Sequence, residues 1–493
     1  MATYLLAIDQ GTTNSRAILF TRTGQPVNQH EIPLKQSFPI AGWVEQDPGE
    51  ILHNTIECCR NVIKKANISA AEIAAIGISN QRETTLLWNK ITGKPIYPAI
   101  VWQDRRTSEL CKQLSLLPIN SVLQEKTGLL LDPYFSATKI LWVLDNIPHA
   151  REQAAQGILL FGTIDTYLLW HLTKQKSHVT DATNASRTLL FNIRTQVWDQ
   201  DILQALNIPE NLLPTVLDNT AHFGDLDAAI LGRCIPITGV AGDQQAATIG
   251  QACFYPGMLK ATYGTGSFML LNTGAEIVHS KNSLLSTIAY RINNQTVYGL
   301  EGSVFCAGTT IKWLRDTLRI IDTAAETEAL AQNITDTGGV YLIPAFTGLG
   351  APYWDAEARG AILGLTRNSG RAQIVRAALE SVAYQTRDLL AAISLDSGLT
   401  IETMRVDGGM ANNNWLLQFL ADILQLHIQC PPCTETSALG AAYLAGLQIG
   451  MYASLEEISQ LWISSKEFSP KTPAVKMDAL YQQWQDAVAR VLS

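Results

Sequence analysis

The chain has 493 residues, 47 % apolar and 16 % charged; this globular composition excludes disorder, coiled coil and a supercharged surface, and the length calls for two large domains. A formal net charge of −8 removes the broad basic footprint that phosphate-backbone binding needs, so no nucleic-acid partner is expected and any anion site must be built locally. The eight cysteines (58, 59, 111, 234, 253, 306, 430 and 433) are scattered without disulfide-scaffold density, which suits a reducing cytoplasm.

Residues 1–9 lack a basic n-region and reach an aspartate at once, so they read as a first strand rather than a signal peptide. No transmembrane-length apolar run follows, and no membrane insertion is expected. Residues 4–20 predict a hairpin of two apolar strands around a glycine-threonine turn. In its Asp9-Gln-Gly-Thr-Thr13 segment, the glycine permits close approach to a ligand, while successive amides and the Thr12 and Thr13 hydroxyls can donate to phosphate oxygens. Asp9 at the entrance can hold Mg²⁺, directly or through water. Residues 73–79 predict a buried strand ending in Ser79-Asn-Gln-Arg-Glu-Thr84, where Arg82 and Glu83 can donate to and accept from neighbouring hydroxyls of a polyol. The competing reading is a surface ion pair. At 100–106, Trp102 offers an apolar wall for a carbon backbone, with Asp104 orienting its surroundings. Residues 136–146 predict a helix with Ser136 as its N-cap, stopped before Pro148.

Asp243 lies in Ile237-Thr-Gly-Val-Ala-Gly-Asp-Gln-Gln-Ala-Ala-Thr-Ile249. An alcohol is a poor nucleophile, and a carboxylate within reach can accept its proton as the bond to phosphorus forms. A helix N-cap is the plainer role, and both can coexist. The alanine-rich turn after Asp243 leads to a lobe boundary near Gly250, giving domains 1–250 and 251–493. A second hairpin at 258–271 repeats the phosphate cradle in Gly264-Thr-Gly-Ser267, and 372–392 predicts a long helix. A strand at 404–406 runs into Asp407-Gly-Gly409 and an asparagine-rich helix start, giving a flat backbone surface for a purine, or simply a capped strand-to-helix turn. Cys430-Pro-Pro-Cys433 reads as a strand end leaving through two prolines rather than a redox or metal pair.

Neither GxxxxGK[ST] nor GxGxxG follows a strand. Two hairpins and a double-glycine adenosine loop instead resemble the sugar kinase, Hsp70 and actin superfamily. That resemblance implies an α/β fold of two ribonuclease H-like domains, of the actin/hexokinase/Hsp70 ATPase type, with an interdomain cleft. Over nearly its whole length the chain resembles the FGGY carbohydrate kinase family: Tyr134-Phe-Ser-Ala-Thr-Lys-Ile-Leu-Trp-Val-Leu-Asp-Asn146 is similar to one family pattern, and Gly360-Ala-Ile-Leu-Gly-Leu365 with Gln373 and Ala377-Ala-Leu-Glu380 to the other. The stretches 80–84, 101–106 and 241–245 resemble members that phosphorylate glycerol more than those acting on xylulose or gluconate.

The resemblance implies that Arg82, Glu83, Trp102, Tyr134, Asp243, Gln244 and Phe268 surround glycerol, with Asp243 as the base. It implies ATP with Mg²⁺ as the phosphoryl donor, contacted by Thr12, Thr13, Asn14, Arg16, Thr265, Gly308, Lys312, Gly409 and Asn413. Lys312 stands where many relatives carry glutamine. Residues 227–234 lack the glycine-rich loop through which some members bind fructose 1,6-bisphosphate, so inhibition by that sugar is not expected; His222 sits in no recognisable phosphoacceptor loop. A homo-oligomer, dimer or tetramer, is expected. The alternatives are a kinase for another polyol or sugar, and an actin-like protein that uses nucleotide only to switch shape.

Overall fold

Two open sheets repeat one plan. In the computed structural model, which describes residues 3–346, 348–355 and 357–492, the first sheet comprises Tyr4–Gln10 (β1), Asn14–Thr21 (β2), Pro26–Pro33 (β3), Ile73–Asn80 (β4), Thr220–Asp225 (β5) and Pro236–Gly242 (β6). Its order is β3-β2-β1-β4-β6-β5. An antiparallel meander of β1, β2 and β3 takes β4 in parallel on the free edge of β1, and β6 pairs in parallel with β4. The second sheet comprises Leu259–Tyr263 (β7), Ser267–Gly274 (β8), Leu285–Ile292 (β9), Gln295–Val304 (β10), Thr403–Asp407 (β11), His427–Cys430 (β12) and Lys466–Phe468 (β13), ordered β9-β10-β8-β7-β11-β12-β13. Here too a hairpin takes a parallel strand on the free edge of its first member. Each hairpin turn therefore shares a rim with the end of a parallel strand, where ligand crevices of open α/β sheets lie.

The strand pattern follows from burial on both faces. Leu6, Ile8, Ala17 and Leu19 face Ile51 and Val62 of the helix Pro48–Ala66 (α1), while their alternates Leu5, Ala7, Ile18 and Phe20 face Ala442 and Leu444. Those last two residues belong to Thr436–Gln448 (α6), a helix from the far end of the chain that lies on β1, β4 and β6. It crosses Asp243–Gly250 (α3), which runs out of β6 and touches β7, β8 and β9 of the opposite sheet. The crossing is backbone against backbone. A Cβ on Gly440 would stand 1.8 Å from the Ala246 carbonyl oxygen, and one on Gly77 of β4 would stand 2.0 Å from that of Ala441. Only glycine permits this approach.

The predicted hairpins and the strands at 73–79 and 404–406 are present, and the long helix runs further than expected, over Arg371–Ser397 (α4). Two expectations are corrected. Residues after Asp243 form a helix, not a turn, because Ala246, Ala247 and Ile249 bury a continuous face. In Ser136–Asn146 (α2) the cap position belongs to Phe135, and Ser136 is the first helical residue; its Oγ donates to the Glu83 carbonyl (3.3 Å).

We predict that Gly440→Val destabilises the fold by about 3 kcal/mol or more through overpacking. An unchanged denaturation midpoint would show that the crossing can yield.

Candidate active site

The first phosphate hairpin is braced from behind. Gly11 N donates to the Asn14 carbonyl (3.0 Å), Leu34 N to that of Thr13 (2.8 Å) and Gln46 Nε2 to that of Thr12 (2.6 Å). Thr13 is left exposed. Asn14 Nδ2 lies 3.5 Å from Glu31, and Arg16 is shared between Glu31 (3.3 Å) and Glu435. Asp9 ends beside β4, where Ser79 Oγ donates to it (2.8 Å). Burial raises the Asp9 carboxyl against the pull of Arg16 and Ser79, a cost to the ionised form that a cation beside it would offset.

Across the cleft, the β7–β8 turn closes through Gly264 N to the Gly266 carbonyl (2.9 Å). The short helix Gly308–Lys312 abuts it: Gly308 N donates to the Gly264 carbonyl (3.0 Å) and Thr309 N to that of Thr265 (3.0 Å). A side chain at Gly308 would meet the Gly264 oxygen at 2.5 Å. Thr265 and Lys312 are exposed. The double-glycine loop follows β11; nothing lies within 4 Å of a Cβ at Gly409. Asn413 caps Asn414–Leu424 (α5), its Oδ1 accepting from Leu416 N (2.9 Å) and its Nδ2 donating to Thr327 Oγ1 (3.1 Å). The capped-turn reading of this segment thus holds for the Asn413 side chain, while the backbone at Gly409 is open.

The residues expected to hold the acceptor converge. Trp102, Tyr134 and Phe268 meet edge to face, the indole 5.6 Å from Tyr134 and 6.1 Å from Phe268. Trp102 Nε1 donates to Thr12 Oγ1 (2.8 Å), so the apolar wall is bonded to the phosphate hairpin. Arg82 and Glu83 are 2 % and 1 % exposed, which overturns the surface-pair reading. Arg82 lies under Phe268 at 5.7 Å and donates to Tyr134 Oη (3.1 Å), while its Nε stands 3.4 Å from Asp243 Oδ1. Asp104 accepts from Val44 N and from Arg106 N and Nε, fixing the loop that carries Trp102. Gln244 is buried, with Oε1 taken by Lys260 Nζ. Asp243 itself is the first residue of α3, with Gly242 in the cap position, so the N-cap alternative is displaced by one residue. Burial raises its carboxyl to about 6; Arg82 and Lys260 pull it down, and Glu83 and Asp9 push it up. A carboxylate at that value is ionised at neutral pH yet basic enough to take an alcohol proton.

The chain itself matches a known group. The model of the N-terminal domain of the FGGY family of carbohydrate kinases matches residues 4–250, and that of its C-terminal domain matches 259–449. The chain belongs to the FGGY family of carbohydrate kinases. Among its relatives, a glycerol kinase of Coxiella burnetii is 58 % identical over all of this chain and 98 % of its own length. Glycerol kinase 1 of Pseudomonas aeruginosa is 55 % identical over the full length of both. A solved structure, Plasmodium falciparum glycerol kinase with ADP, superposes with a TM-score of 0.92 at 38 % identity, covering 99 % of this chain and 98 % of that one. The two-lobed α/β fold expected from the sequence is the fold of this FGGY kinase, and ATP is its substrate. No helix among the described residues is long and apolar enough to cross a membrane.

Sequence reasoning missed four buried or half-buried charges around the pocket: Lys260, Arg187, Glu301 and Glu435. Glu301 carried a usable signal, a lone carboxylate inside the apolar strand Gln295–Val304. Lys260 carried the same signal in the strand Leu259–Tyr263; Arg187 and Glu435 had none.

For this FGGY kinase we predict that Gly308→Val displaces the Thr265 turn and lowers ADP affinity by about tenfold or more. Calorimetric titration giving wild-type affinity would detach that turn from the nucleotide.

Proposed function

We propose that the chain transfers the γ-phosphoryl group of ATP to a terminal hydroxyl of glycerol, giving sn-glycerol 3-phosphate, with Asp243 as general base. One observation carries the reading: Asp243 Oδ1 lies 3.4 Å from Arg82, whose guanidinium also meets Tyr134 and Phe268 of the aromatic cluster that Trp102 completes. Aromatic faces fit the carbon backbone of a triol, and Arg82 with Glu83 fits two of its hydroxyls. Full-length relatives at 55–58 % identity named as glycerol kinases favour the three-carbon acceptor. A shape-switching protein would need the phosphate turns but not a base beside a polyol pocket.

In this reading the Asp243 carboxylate takes the hydroxyl proton while Arg82 and Glu83 orient the alcohol, and Thr12, Thr13 and Thr265 with their amides grip the phosphates from both sides of the cleft. Asn14, Arg16 and Gly308 shape those turns, while Lys312, Gly409 and Asn413 line the adenosine side. Asp9 fits Mg²⁺, an ion commonly held by one or two carboxylates together with substrate phosphates. The ion, when bound, neutralises phosphate charge. Residues 1–250 supply the first hairpin and most of the acceptor pocket; 251–493 supply Phe268, the second hairpin and the adenosine loop. We place this work in the cytoplasm, in keeping with eight cysteines scattered along the chain without disulfide-scaffold density.

Two predictions test this. Asp243→Asn should lower kcat by about 10²- to 10⁴-fold, the usual worth of a general base, with ATP affinity largely kept; unchanged turnover removes the proposed base. The pH profile supplies the second test. Because the base must be ionised and its carboxyl titrates at about 6, kcat/KM for glycerol should be level above that pH and fall about tenfold per unit below it. A profile flat down to pH 4 would contradict the assignment.

A further inference from the structure

Arg187 and Glu301 take no part in the chemistry above, yet both are wholly buried against residues that do. Arg187 Nε donates to Glu83 Oε1 (2.8 Å), and its Nη2 donates to Glu301 Oε1 (2.9 Å). Glu301 also accepts from both terminal nitrogens of Arg82, Nη2 at 3.1 Å and Nη1 through its other oxygen. Arg82 Nε lies 3.6 Å from Glu83 Oε1 and closes the circuit. Two guanidinia and two carboxylates thus alternate in a ring whose charges cancel inside the protein. Its members come from three places: the loop after β4, the segment after the helix Ala182–Ala185, and β10 of the second sheet.

The ring is asymmetric towards the pocket. Glu301 occupies the far edge of Arg82, and fork-on-fork pairing fixes the plane of that guanidinium as well as its position. The near edge, Arg82 Nε, has only carboxylate oxygens at 3.4 and 3.6 Å, beyond an ordinary N–H···O length. Arg187 likewise holds Glu83 by one oxygen. Its own guanidinium lies 5.7 Å from the Tyr134 ring centre and 5.4 Å from that of Phe135, which shields the pair from water. Burial acts to raise the Glu301 carboxyl, but Arg187 and Arg82 bring it down to about 2, so it stays ionised.

We propose that Arg187 and Glu301 are positioning residues for acceptor recognition: they hold Arg82 and Glu83 from behind so that the Nε of one and the carboxylate of the other face two hydroxyls of the bound polyol. The inference rests on the glycerol reading above. Removing the charge of Glu301 leaves two buried cations competing for Glu83, which draws that carboxylate off the substrate. Acceptor binding then suffers while the nucleotide turns, anchored elsewhere, do not.

The test measures KM for glycerol and for ATP, kcat and the thermal midpoint in wild type, Glu301→Gln, Arg187→Lys and the double variant Arg187→Gln/Glu301→Gln. We expect glycerol KM to rise about tenfold or more with ATP KM within about twofold and kcat little changed, the pattern of lost ground-state binding. The double variant, neutral again, should regain thermal stability lost in Glu301→Gln without regaining glycerol KM. A folded variant with wild-type glycerol KM overturns the proposal, as does a parallel rise in both KM values. Failure of every variant to fold overturns it too, by making the pair a support of the core. Absence of glycerol-dependent turnover in wild type would instead reject the glycerol reading itself, before any variant is compared.

Discussion

The constraint on which the site depends is the contact between α3 and α6. Each helix lies against a sheet from the other half of the chain, so the crossing is the place where the two halves lock. Its glycines bring the backbones so near that the N-terminal turn of α6 reaches the cleft. There three consecutive residues touch three parts of the site: Glu435 pairs with Arg16 of the first hairpin, Thr436 Oγ1 donates to Asp407 before the double-glycine loop (2.7 Å), and Ser437 Oγ donates to the Asp243 carbonyl (3.0 Å). The first hairpin, the strand before the double-glycine loop and Asp243 are thereby referred to one rigid element. An active site that must hold reacting atoms to a fraction of an ångström needs such a common reference.

Charge is arranged on the same scale. Arg82 stands at the centre of the acceptor pocket, where burial of a lone guanidinium would be prohibitive; Glu301, Glu83 and Asp243 all face it. They are not equivalent. Glu301 sits between two arginines and stays strongly acidic, whereas burial raises Asp243, with Arg82 and Lys260 pulling it down and the carboxylates Glu83 and Asp9 pushing it up. Position alone separates one carboxyl that binds from another that can accept a proton.

Local pattern was enough to read the two hairpins, the buried strands, the double-glycine loop and the long helix, because period-2 alternation and glycine punctuation are properties of neighbouring residues. The polar clusters at 79–84, 100–106 and 243–245 were visible for the same reason: each interrupts an apolar run at a strand end. Partnership across the chain was not visible. Arg187 meets Glu83 across 104 positions and Arg82 meets Glu301 across 219, and no periodicity encodes such a pair. The Ser136 error has a local cause of a different kind: Phe135 carries the extended backbone of the cap position, so Ser136 enters the helix as its first residue and its hydroxyl donates to the Glu83 carbonyl. Likewise the glycines of the crossing read as small residues until two backbones are placed together.

The bond between Trp102 and Thr12 adds a last step. An alcohol bound beside ATP must attack along the line of the breaking bond, and a site that positions acceptor and phosphate independently would accumulate the errors of both. Here the Trp102 indole, the acceptor wall of the proposed function, donates to Thr12 of the first hairpin turn, and the Thr12 carbonyl is held in turn by Gln46. On the other side Phe268 follows the second hairpin turn directly on β8 and packs against the same indole. Any motion that brings the phosphate turns together must therefore carry the aromatic walls with it. In the function proposed above, closing on the nucleotide and closing on the alcohol would be one movement, which would favour transfer to a bound polyol over transfer to water.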